Sequence, residues 1–467
     1  MTWHRTASQW FNLPAGALWE VLSEVRRWPE WNPAVGEAGL GSALTEGTRG
    51  HYAPAQRLLG ALHRRTAPAF TVTQVEPGRR LVLRQPQPGG AQEIEWALTE
   101  RDGGTLFTQR VVIDGPLAQQ FGLTAGEPLV RGFAAQCARL YQLAAPAGNP
   151  ADDAAARPAL TVLAGGSGYL GTLLAADLLC SGHEVALLAR SPRPGPFRQI
   201  LWDGRSQGPW SAELGAVQRL ALVNLSGASL DRPATEANLA LLRDSRVAPT
   251  RALVEASRTR ARPVERWVQL SAVGIYGDSQ EPMDERAAPP TDAPGLAAVV
   301  RDWEAAFDPS AAARATVLRT AVVLDRDAAV LSRLTGPARL GAGGHLGTGE
   351  QWFSWIHAAD WLRVARAALG LVPSAGEAAV ELPDGVVNAT SPQPVQNREL
   401  MAHIREFVGV PVGIPAPAGL LRAAAGVLRT NPDLALDSVR AVPGVLKDAG
   451  FDFRYPQLAA AFREMGA

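Results

Sequence analysis

The 467-residue sequence predicts an α/β protein built on a doubly wound parallel sheet, with an α+β domain before it and a small helical domain after it. Three observations predict this class. Strand-like runs alternate with helical stretches from about Leu160 to Pro394, which is typical of a parallel sheet. Strand-like runs joined by glycine turns dominate the residues before this part, and mostly helical stretches follow it.

The composition fits globular domains and argues against several kinds of partner. Hydrophobic residues make up 46% of the chain, and Lys+Arg and Asp+Glu both number 45, so the formal net charge is zero. We therefore expect no nucleic-acid partner, and no apolar stretch is long enough for a membrane span. Cys137, Cys180 and the scattered histidines show no metal-ligand spacing, so we expect no metal. No signal-peptide-like run opens the chain, and we expect a cytoplasmic protein.

Residues 1–145 are predicted to form the α+β domain. The run "AGALWEVLSEVRRWPEWNP" places Leu18, Leu22 and Val25 at helical spacing before its prolines end the helix. The strand-like runs "AFTVTQVEPGRRLVLRQ" and "QEIEWALTERDGGTLFTQRVVIDG" follow, and the glycines of EPGR and RDGG supply the positive φ that hairpin turns need. A helix over about residues 127–143 closes the domain.

The tryptophans of this segment point to a known superfamily. Trp19, Trp28, Trp31 and Pro33, with the strand meander and the last helix, resemble the START-like polyketide-cyclase superfamily. The resemblance implies a helix-grip fold, in which a curved sheet surrounds a long helix and encloses a cavity for an apolar ligand. The alternative is that each tryptophan is a core residue, which is the more common fate of a Trp side chain.

A linker and then a dinucleotide-binding loop are predicted next. The small and polar residues 146–159 predict the linker, and "LTVLAGGSGYLGTLLAADLL" opens the domain of residues 160–395. Here Gly165 permits a tight turn, and Gly168 lets the backbone approach a pyrophosphate. Gly171 allows the helix to pack closely against the strand. A glycine turn without a ligand is the alternative, which the flanking strand and helix disfavour. The predicted cofactor contacts are Gly165, Gly166, Ser167, Gly168, Tyr169, Leu170 and Gly171.

The end of the second strand of this domain favours NADP(H) over NAD(H). Arg190 ends the run "EVALLAR", where an NAD-specific domain usually carries an acid for the ribose hydroxyls. An arginine there pairs with a 2′-phosphate, whereas the alternative is a solvated surface arginine. Trp202 and Asp203 are predicted to border the adenine, with Asp203 accepting from its amino group. The strand end facing the diphosphate is predicted to contribute Leu225, Ser226 and Gly227.

The run "LSAVGIYGD" resembles the strand end that carries the Ser or Thr of extended short-chain dehydrogenases and sugar-nucleotide epimerases. In those enzymes a Tyr-x-x-x-Lys pair follows, whose tyrosine is the acid/base. Leu296 and Val300 stand near those positions, and Lys447 is the only lysine of the chain, so the pair is absent. Tyr276 is then the predicted acid, with a structural role as the alternative. Ser271 is predicted to form a hydrogen bond near the nicotinamide.

Further candidates lie downstream. Glu304 in "DWEAAF" is a candidate for the missing acid, with a solvated helix face as the alternative. The run "GTGEQWFSWIHAADW" is predicted to form a substrate-side wall through Gln351 and Trp355, with His357 as an ionisable catalytic group. The alternative has Asp360 capping a helix and His357 as a satisfied interior histidine.

The motifs of the second and third parts together resemble the atypical short-chain dehydrogenase-like "epimerase family" of the NAD-dependent epimerase/dehydratase superfamily. The matching runs include "GGSGYLG", "VNLSGASL", "SAVGIYG", "RDWEAAF" and "LGTGEQWFSWIHAAD", and residues 396–467 resemble the small C-terminal helical domain of that group. The resemblance implies an NADP(H)-binding oxidoreductase or epimerase-like enzyme with a small-molecule substrate. The alternatives are a non-catalytic NADP(H)-responsive module and a carrier of an apolar ligand in the N-terminal domain.

Overall fold

The structure of the chain is a computed structural model that describes residues 2–55, 68–146, 159–230, 232–371, 378–428 and 431–466. For residues 424–428 only the backbone is described. The predicted linker lies outside the described residues, apart from its first and last positions.

The N-terminal domain is a seven-stranded antiparallel sheet with short helices and one longer C-terminal helix. Its strands are β1 (Thr2–Phe11), β2 (Val35–Leu40), β3 (Arg49–Pro54), β4 (Phe70–Glu76), β5 (Arg80–Gln87), β6 (Gly90–Arg101) and β7 (Gly104–Asp114). Its helices are α1 (Ala15–Ser23), α2 (Trp28–Trp31), α3 (Ala118–Phe121), α4 (Glu127–Val130) and α5 (Phe133–Ala144). The strands follow the order β1-β7-β6-β5-β4-β3-β2. The α+β class is confirmed.

The N-terminal domain agrees with its prediction at the two turns and departs from it in one helix and one strand. The EPGR and RDGG turns form as predicted, with Gly78 at φ 74° and Gly103 at φ 76°. The single helix predicted over residues 127–143 is wrong, because Gly132 adopts the left-handed conformation at φ 70° and divides it into α4 and α5. Strand β1 was not predicted, and it forms by pairing with β7 at the far end of the domain sequence.

The tryptophans form the core of the N-terminal domain. The rings of Trp28 and Trp31 meet that of Trp96 nearly edge-on, with centroids 4.8 and 5.3 Å apart. They line a cavity of about 10 Å³, which is close to the space that one water molecule needs. The core interpretation of these residues is therefore favoured over that of a large ligand cavity in this conformation.

The central domain carries the predicted parallel sheet. Its strands and the nearby short strands are β8 (Leu160–Ala164), β9 (Val185–Ala189), β10 (Arg198–Leu201), β11 (Leu220–Asn224), β12 (Val264–Ala272), β13 (Ala312–Thr320), β14 (Val322–Leu324), β15 (Trp352–Phe353), β16 (Trp355–His357), β17 (Gly385–Ala389) and β18 (Val395–Gln396). The main sheet follows the order β10-β9-β8-β11-β12-β13-β17, and every pair in it is parallel. The chain reverses its direction of winding between β8 and β11, where doubly wound sheets bind ligands.

Helices cover both faces of this sheet and form most of the C-terminal part. They are α6 (Tyr169–Cys180), α7 (Pro209–Ala216), α8 (Glu236–Arg258), α9 (Leu296–Ala305), α10 (Ala329–Arg339), α11 (Ala358–Ala368), α12 (Asn397–Val408), α13 (Ala418–Leu428), α14 (Asp433–Leu436), α15 (Gly444–Asp448) and α16 (Leu458–Gly466). In the part of the chain that is described, no helix combines the length and apolar character needed to cross a bilayer.

The N-terminal domain packs on helix α6, which follows the glycine loop. The amide of Asn12 donates to the carbonyl of Cys180 at 2.8 Å, and Cys180 belongs to the apolar core of the N-terminal domain. Arg5 binds Glu127 of its own domain and Asp327 of the central domain, both at 2.9 Å. The front domain therefore contacts the element on which the predicted cofactor loop is built.

Candidate functional site

The glycine loop has the geometry that the motif predicts. Gly165 adopts φ 75°, and a Cβ atom there would lie 2.6 Å from the carbonyl oxygen of Leu225. A Cβ atom on Gly171 would lie 2.5 Å from the Cα atom of Gly166, so the first turn of α6 packs directly on the loop. Gly168 differs, because it has φ −75° and the nearest protein atom to its Cβ position is 3.3 Å away. Only this one protein atom, the carbonyl oxygen of Gly165, lies within 4 Å of the Cβ position, and Gly168 is exposed, so a ligand can approach the backbone here.

The end of β11 completes this cradle. The amide of Ser226 donates to Oδ1 of Asn224 at 3.1 Å, which turns the chain at the strand end. The Oγ atom of Ser226 is buried and has no hydrogen-bond partner among the described residues. Buried hydroxyls are nearly always paired in proteins, so an unpaired one beside an open glycine cradle fits a polar ligand. These groups fit the diphosphate of a dinucleotide.

The other predicted loop contacts point in different directions. Ser167 lies exposed at the loop tip, whereas Leu170 packs on the core of the central domain. The Tyr169 hydroxyl lies near Asp325 at the contact with the N-terminal domain. Burial and then the Asp325 carboxylate raise the pKa of this hydroxyl. Only the backbone of Tyr169 is therefore placed for the predicted cofactor contact. Its side-chain hydroxyl lies toward the contact between the two domains.

Arg190 lies exposed after β9, on the side where the adenine ribose is predicted to bind. Its aliphatic stem approaches Gly204, whose Cβ position is 3.9 Å from the arginine Cδ atom. No carboxylate pairs with Arg190 among the described residues, so its guanidinium is available to a phosphate.

The predicted adenine contacts are less well placed. The Asp203 carboxylate accepts the amides of Arg205 and Ser206 at 2.8 and 2.9 Å and closes the turn after β10. Hydrogen bonds from Ser206 and Arg205 lower the pKa of Asp203 to about 2. The prediction for Trp202 is wrong, because its ring is buried in the core against Trp210, with the centroids 5.4 Å apart.

A row of polar side chains crosses the carboxyl end of the sheet. Ser271 on β12, Arg319 on β13 and Asn388 on β17 are register partners across the three strands. Helix α9 adds Glu304, whose two carboxylate oxygens accept Nε and Nη2 of Arg319 at 2.9 and 2.8 Å. The hydroxyl of Ser271 donates to the same carboxylate at 2.5 Å. Ser271 is thus joined to a carboxylate whose charge is balanced by an arginine.

Tyr276 adjoins this row, in which Ser271 and Asn388 are at least as buried as Tyr276 itself. Its side chain is 2% exposed, and its hydroxyl accepts from Nη1 of Arg319 at 3.1 Å. The same hydroxyl lies 3.0 Å from both Oδ1 of Asn388 and the carbonyl of Asp284, to either of which it can donate. Burial raises the pKa of Tyr276, against the opposing effect of Arg319. These contacts indicate a structural role for Tyr276, because no face of the hydroxyl is open to a substrate.

His357 is an interior helix cap. Its Nδ1 accepts the amide of Ala359 at 3.2 Å at the start of α11, and its Nε2 lies 3.0 Å from the Glu464 carboxylate. The geometry therefore opposes the catalytic prediction and supports the satisfied interior histidine. The cap assigned to Asp360 in that alternative is wrong. Its carboxylate accepts the amides of Arg454 and Tyr455 at 2.8 and 2.9 Å and so binds the C-terminal segment.

The predicted substrate-side wall also faces inward. Trp355 has no exposed surface, packs in the core beneath α12 and donates its Nε1 proton to the carbonyl of Gln393 at 2.9 Å. The Gln351 amide donates to the carbonyls of Leu346 and Ala435 at 2.9 and 2.8 Å and so joins the loop of Leu346 to helix α14. The substrate role of Trp355 is thereby wrong, and Gln351 has the contacts of a structural residue.

Two buried arginines near these groups were not predicted. Arg319 lies in the strand run "ATVLRTAVVLD", where a charged residue inside an apolar run signals a buried carboxylate partner. Arg246 lies on the buried face of α8, and a polar residue on an otherwise apolar helix face is the corresponding signal.

The doubly wound parallel sheet, with a glycine loop at its switch point, defines a Rossmann-type protein with the loop typical of dinucleotide binding. Comparison with known proteins gives the particular group. Residues 161–378 match the NAD dependent epimerase/dehydratase family, residues 2–146 match the polyketide cyclase/dehydrase and lipid transport family, and residues 416–465 match a domain of unknown function, DUF1731. The chain belongs to the epimerase family.

Individual relatives support this membership. The chain is 31% identical over 308 residues to the epimerase family protein SDR39U1 of Bos taurus, which covers 65% of this chain and 98% of that protein. It is 30% identical to the human protein SDR39U1, whose crystal structure with NADPH has a TM-score of 0.55 and covers 66% of this chain and 99% of that one.

A second structure covers the whole chain. A nucleoside-diphosphate sugar epimerase from Corynebacterium glutamicum has a TM-score of 0.58 at 23% identity, and the match covers 99% of this chain and 90% of that one. At this identity the likeness shows the fold alone. The predicted resemblances to the epimerase family and to the START-like superfamily are confirmed.

Proposed function

We propose that the protein binds NADP(H) in the cradle of residues 165–171 and 225–227 and is an oxidoreductase or epimerase-like enzyme of a small-molecule substrate. The observation that carries the proposal is the unpaired, buried Oγ atom of Ser226, a residue whose amide lies 2.9 Å from the Cβ position of Gly165 in the glycine loop. The human relative solved with NADPH supports the choice of ligand. Both cysteines are free and buried, which supports the proposed cytoplasmic setting.

The preference for NADP(H) rests on Arg190. Its guanidinium is exposed and unpaired among the described residues, at the strand end where an acid would favour NAD(H). We expect Arg190→Ala to weaken NADPH binding by about tenfold and NADH binding much less, because only NADPH carries the 2′-phosphate. Fluorescence titration of both cofactors measures this, and equal losses for the two would contradict the assignment.

The chemistry would take place at the row of polar side chains. When bound, NADP(H) supplies or accepts a hydride at its nicotinamide ring. In this chain the proposed proton path is Ser271 to Glu304, because the serine hydroxyl already donates to that carboxylate at 2.5 Å. A proton taken from a substrate hydroxyl by Ser271 Oγ would pass to Glu304, while Arg319 holds the carboxylate in place. This pair would replace the missing Tyr-x-x-x-Lys.

Gly168 gives the sharpest test of the binding site. It is the N-cap residue of α6, a position that favours Asp, so Gly168→Asp should fold with an unchanged or slightly higher melting temperature. The new carboxylate would repel the diphosphate, and we expect NADPH affinity to fall by about a hundredfold or more. Gly215→Asp on α7, where nothing lies within 4 Å of the Cβ position, is the matched control. Unchanged NADPH binding by Gly168→Asp would refute the site.

Small molecules released from freshly purified, denatured protein should be identified by mass spectrometry, since a co-purified metabolite would supply a substrate for turnover assays. With that substrate, Ser271→Ala should abolish turnover and leave NADPH binding intact. Retained turnover would rule out the Ser271–Glu304 path. The carrier alternative would need a larger cavity than the one lined by Trp28, Trp31 and Trp96, which has room for about one water molecule.

A further inference from the structure

Four arginines are buried among the described residues, and one of them differs from the others. Three have a carboxylate partner: Arg5 binds Glu127 and Asp327, Arg319 binds Glu304 and Arg366 binds Asp177. Arg246 has no carboxylate partner among the described residues, and burial lowers the pKa of its guanidinium to about 10. A buried cation without a counter-charge is costly, and a bound anion would offset this cost.

The position of Arg246 shows which ligand is near. Its Nη2 donates to the carbonyl of Ala228 at 3.2 Å, and a Cβ atom on Gly227 would lie 2.9 Å from the guanidinium carbon. The guanidinium thus lies directly against the loop after β11, next to Ser226. Its Nη1 donates to the carbonyl of Leu242 at 3.0 Å, and its Nε has no hydrogen-bond partner in the described parts of the chain. Its Nη1 also donates to Oγ of Ser245 at 3.4 Å, so three of the five guanidinium N–H groups are used and two, on Nε and Nη2, remain for a ligand.

The other neighbour of Arg246 is helix α9. The guanidinium lies over the Trp303 ring, 5.2 Å from its centroid, and the next residue, Glu304, accepts the Ser271 hydroxyl. Trp303 and Val300 both lie on the buried face of α9, and Val300 stands near the position of the lysine that the short-chain dehydrogenases carry. The arginine reaches this side of the site from the neighbouring helix α8.

We propose that Arg246 is a cofactor-binding residue that supplies the positive charge for the diphosphate and nicotinamide-ribose half of NADP(H), in place of the missing lysine. The proposal rests on the proposed cofactor site. Arg246 has a double effect there: it holds the carbonyl of Ala228, which keeps Ser226 turned toward the cradle, and it gives the anionic ligand a cation with unused donors.

The test compares Arg246→Gln and Arg246→Lys with Arg243→Gln. Arg243 lies on the same helix but is exposed and paired with Asp302 at 2.6 Å, so it is a matched control. We expect Arg246→Gln to weaken NADPH binding by about tenfold or more, Arg246→Lys to retain most of the affinity, and Arg243→Gln to have no effect. Fluorescence titration gives the affinities, and the melting temperature of each apo variant reports its folding.

A fragment of the cofactor locates the effect. Adenosine 2′-monophosphate contains the 2′-phosphate but lacks both the diphosphate and the nicotinamide half, so its affinity should be little changed by Arg246→Gln and strongly reduced by Arg190→Ala. Equal losses of the fragment and of NADPH in Arg246→Gln would overturn the assignment to the nicotinamide half. Wild-type NADPH affinity in a folded Arg246→Gln variant would overturn the inference alone, whereas a wild-type protein that binds no NADPH would overturn the proposed function itself. If Arg246→Gln does not fold, the NADPH affinity of Arg246→Lys tests the inference instead. A loss of NADPH affinity in Arg246→Lys as large as that in Gly168→Asp would overturn the argument that the charge of Arg246 binds the cofactor.

Discussion

At the scale of single residues, the positions that carry charge near the site are not those at which related enzymes carry their acid/base pair. Leu296 and Val300 leave that face of α9 apolar, whereas Glu304 and Arg319 form an ion pair close to Ser271. A buried ion pair is tolerated when further hydrogen bonds satisfy its atoms, and Ser271 and Tyr276 provide them here. The site therefore depends on a network, and removing different members should have different effects.

Tyr276→Phe separates a structural role from a catalytic one. The change leaves one donor of Arg319 and one acceptor, either Asn388 Oδ1 or the Asp284 carbonyl, without their partner in the protein interior, so the free energy of unfolding should fall by about 1–3 kcal/mol. NADPH affinity should be unchanged, and turnover of an identified substrate should persist. Denaturant unfolding and fluorescence titration measure these effects. Tyr141→Phe removes a partly buried hydroxyl as the control, and loss of turnover in a stable Tyr276→Phe variant would restore Tyr276 as the acid.

At the scale of helices, strands and loops, features that depend on neighbouring residues were predicted correctly. Features that depend on contacts between distant residues were not. The glycine loop, the hairpin turns and the parallel strands depend on neighbouring residues, which the sequence displays directly. The cap formed by His357 depends on Ala359, two residues on, but its other partner, Glu464, is 107 residues away. Trp355 likewise contacts Gln393, 38 residues away, and Gln351 contacts Ala435, 84 residues away. The run that contains these residues resembles a binding motif and therefore predicts substrate contacts. In the folded chain the same side chains contact other parts of the protein.

The break between α4 and α5 is an element-scale feature that can be tested. Gly132 adopts φ 70° where the longer helix was predicted to continue, and a side chain is strained in this conformation. Gly132→Ala should lower the free energy of unfolding by about 1 kcal/mol. Gly16→Ala inside α1, where nothing lies within 4 Å of the Cβ position, should be neutral or stabilising. Equal effects of the two changes on denaturant midpoints would show that the left-handed conformation does not govern the break.

At the scale of the whole molecule, the N-terminal domain and the central domain share a helix. Helix α6 begins at the glycine loop and ends at Cys180, which lies in the core of the N-terminal domain. Arg5 fixes the same contact by binding Glu127 on one side and Asp327 on the other. The composition and motifs predicted the fold class correctly, but no local signal in the sequence reports that the front domain packs on the cofactor helix.

This shared helix predicts that the two domains unfold together and that the cofactor stabilises both. NADPH at about a hundred times its Kd should stabilise the native state by about 2.7 kcal/mol, and calorimetry should show one transition that moves as a whole. Arg5→Ala leaves the Asp327 carboxylate without this partner, so the single unfolding transition should separate into two. NADPH should then raise the melting temperature of the central domain only. Arg101→Ala, which removes an exposed pair with Asp102 in the N-terminal domain, is the control. Two transitions in the wild-type protein, with NADPH moving only one of them, would mean that the contact through α6 does not couple the domains.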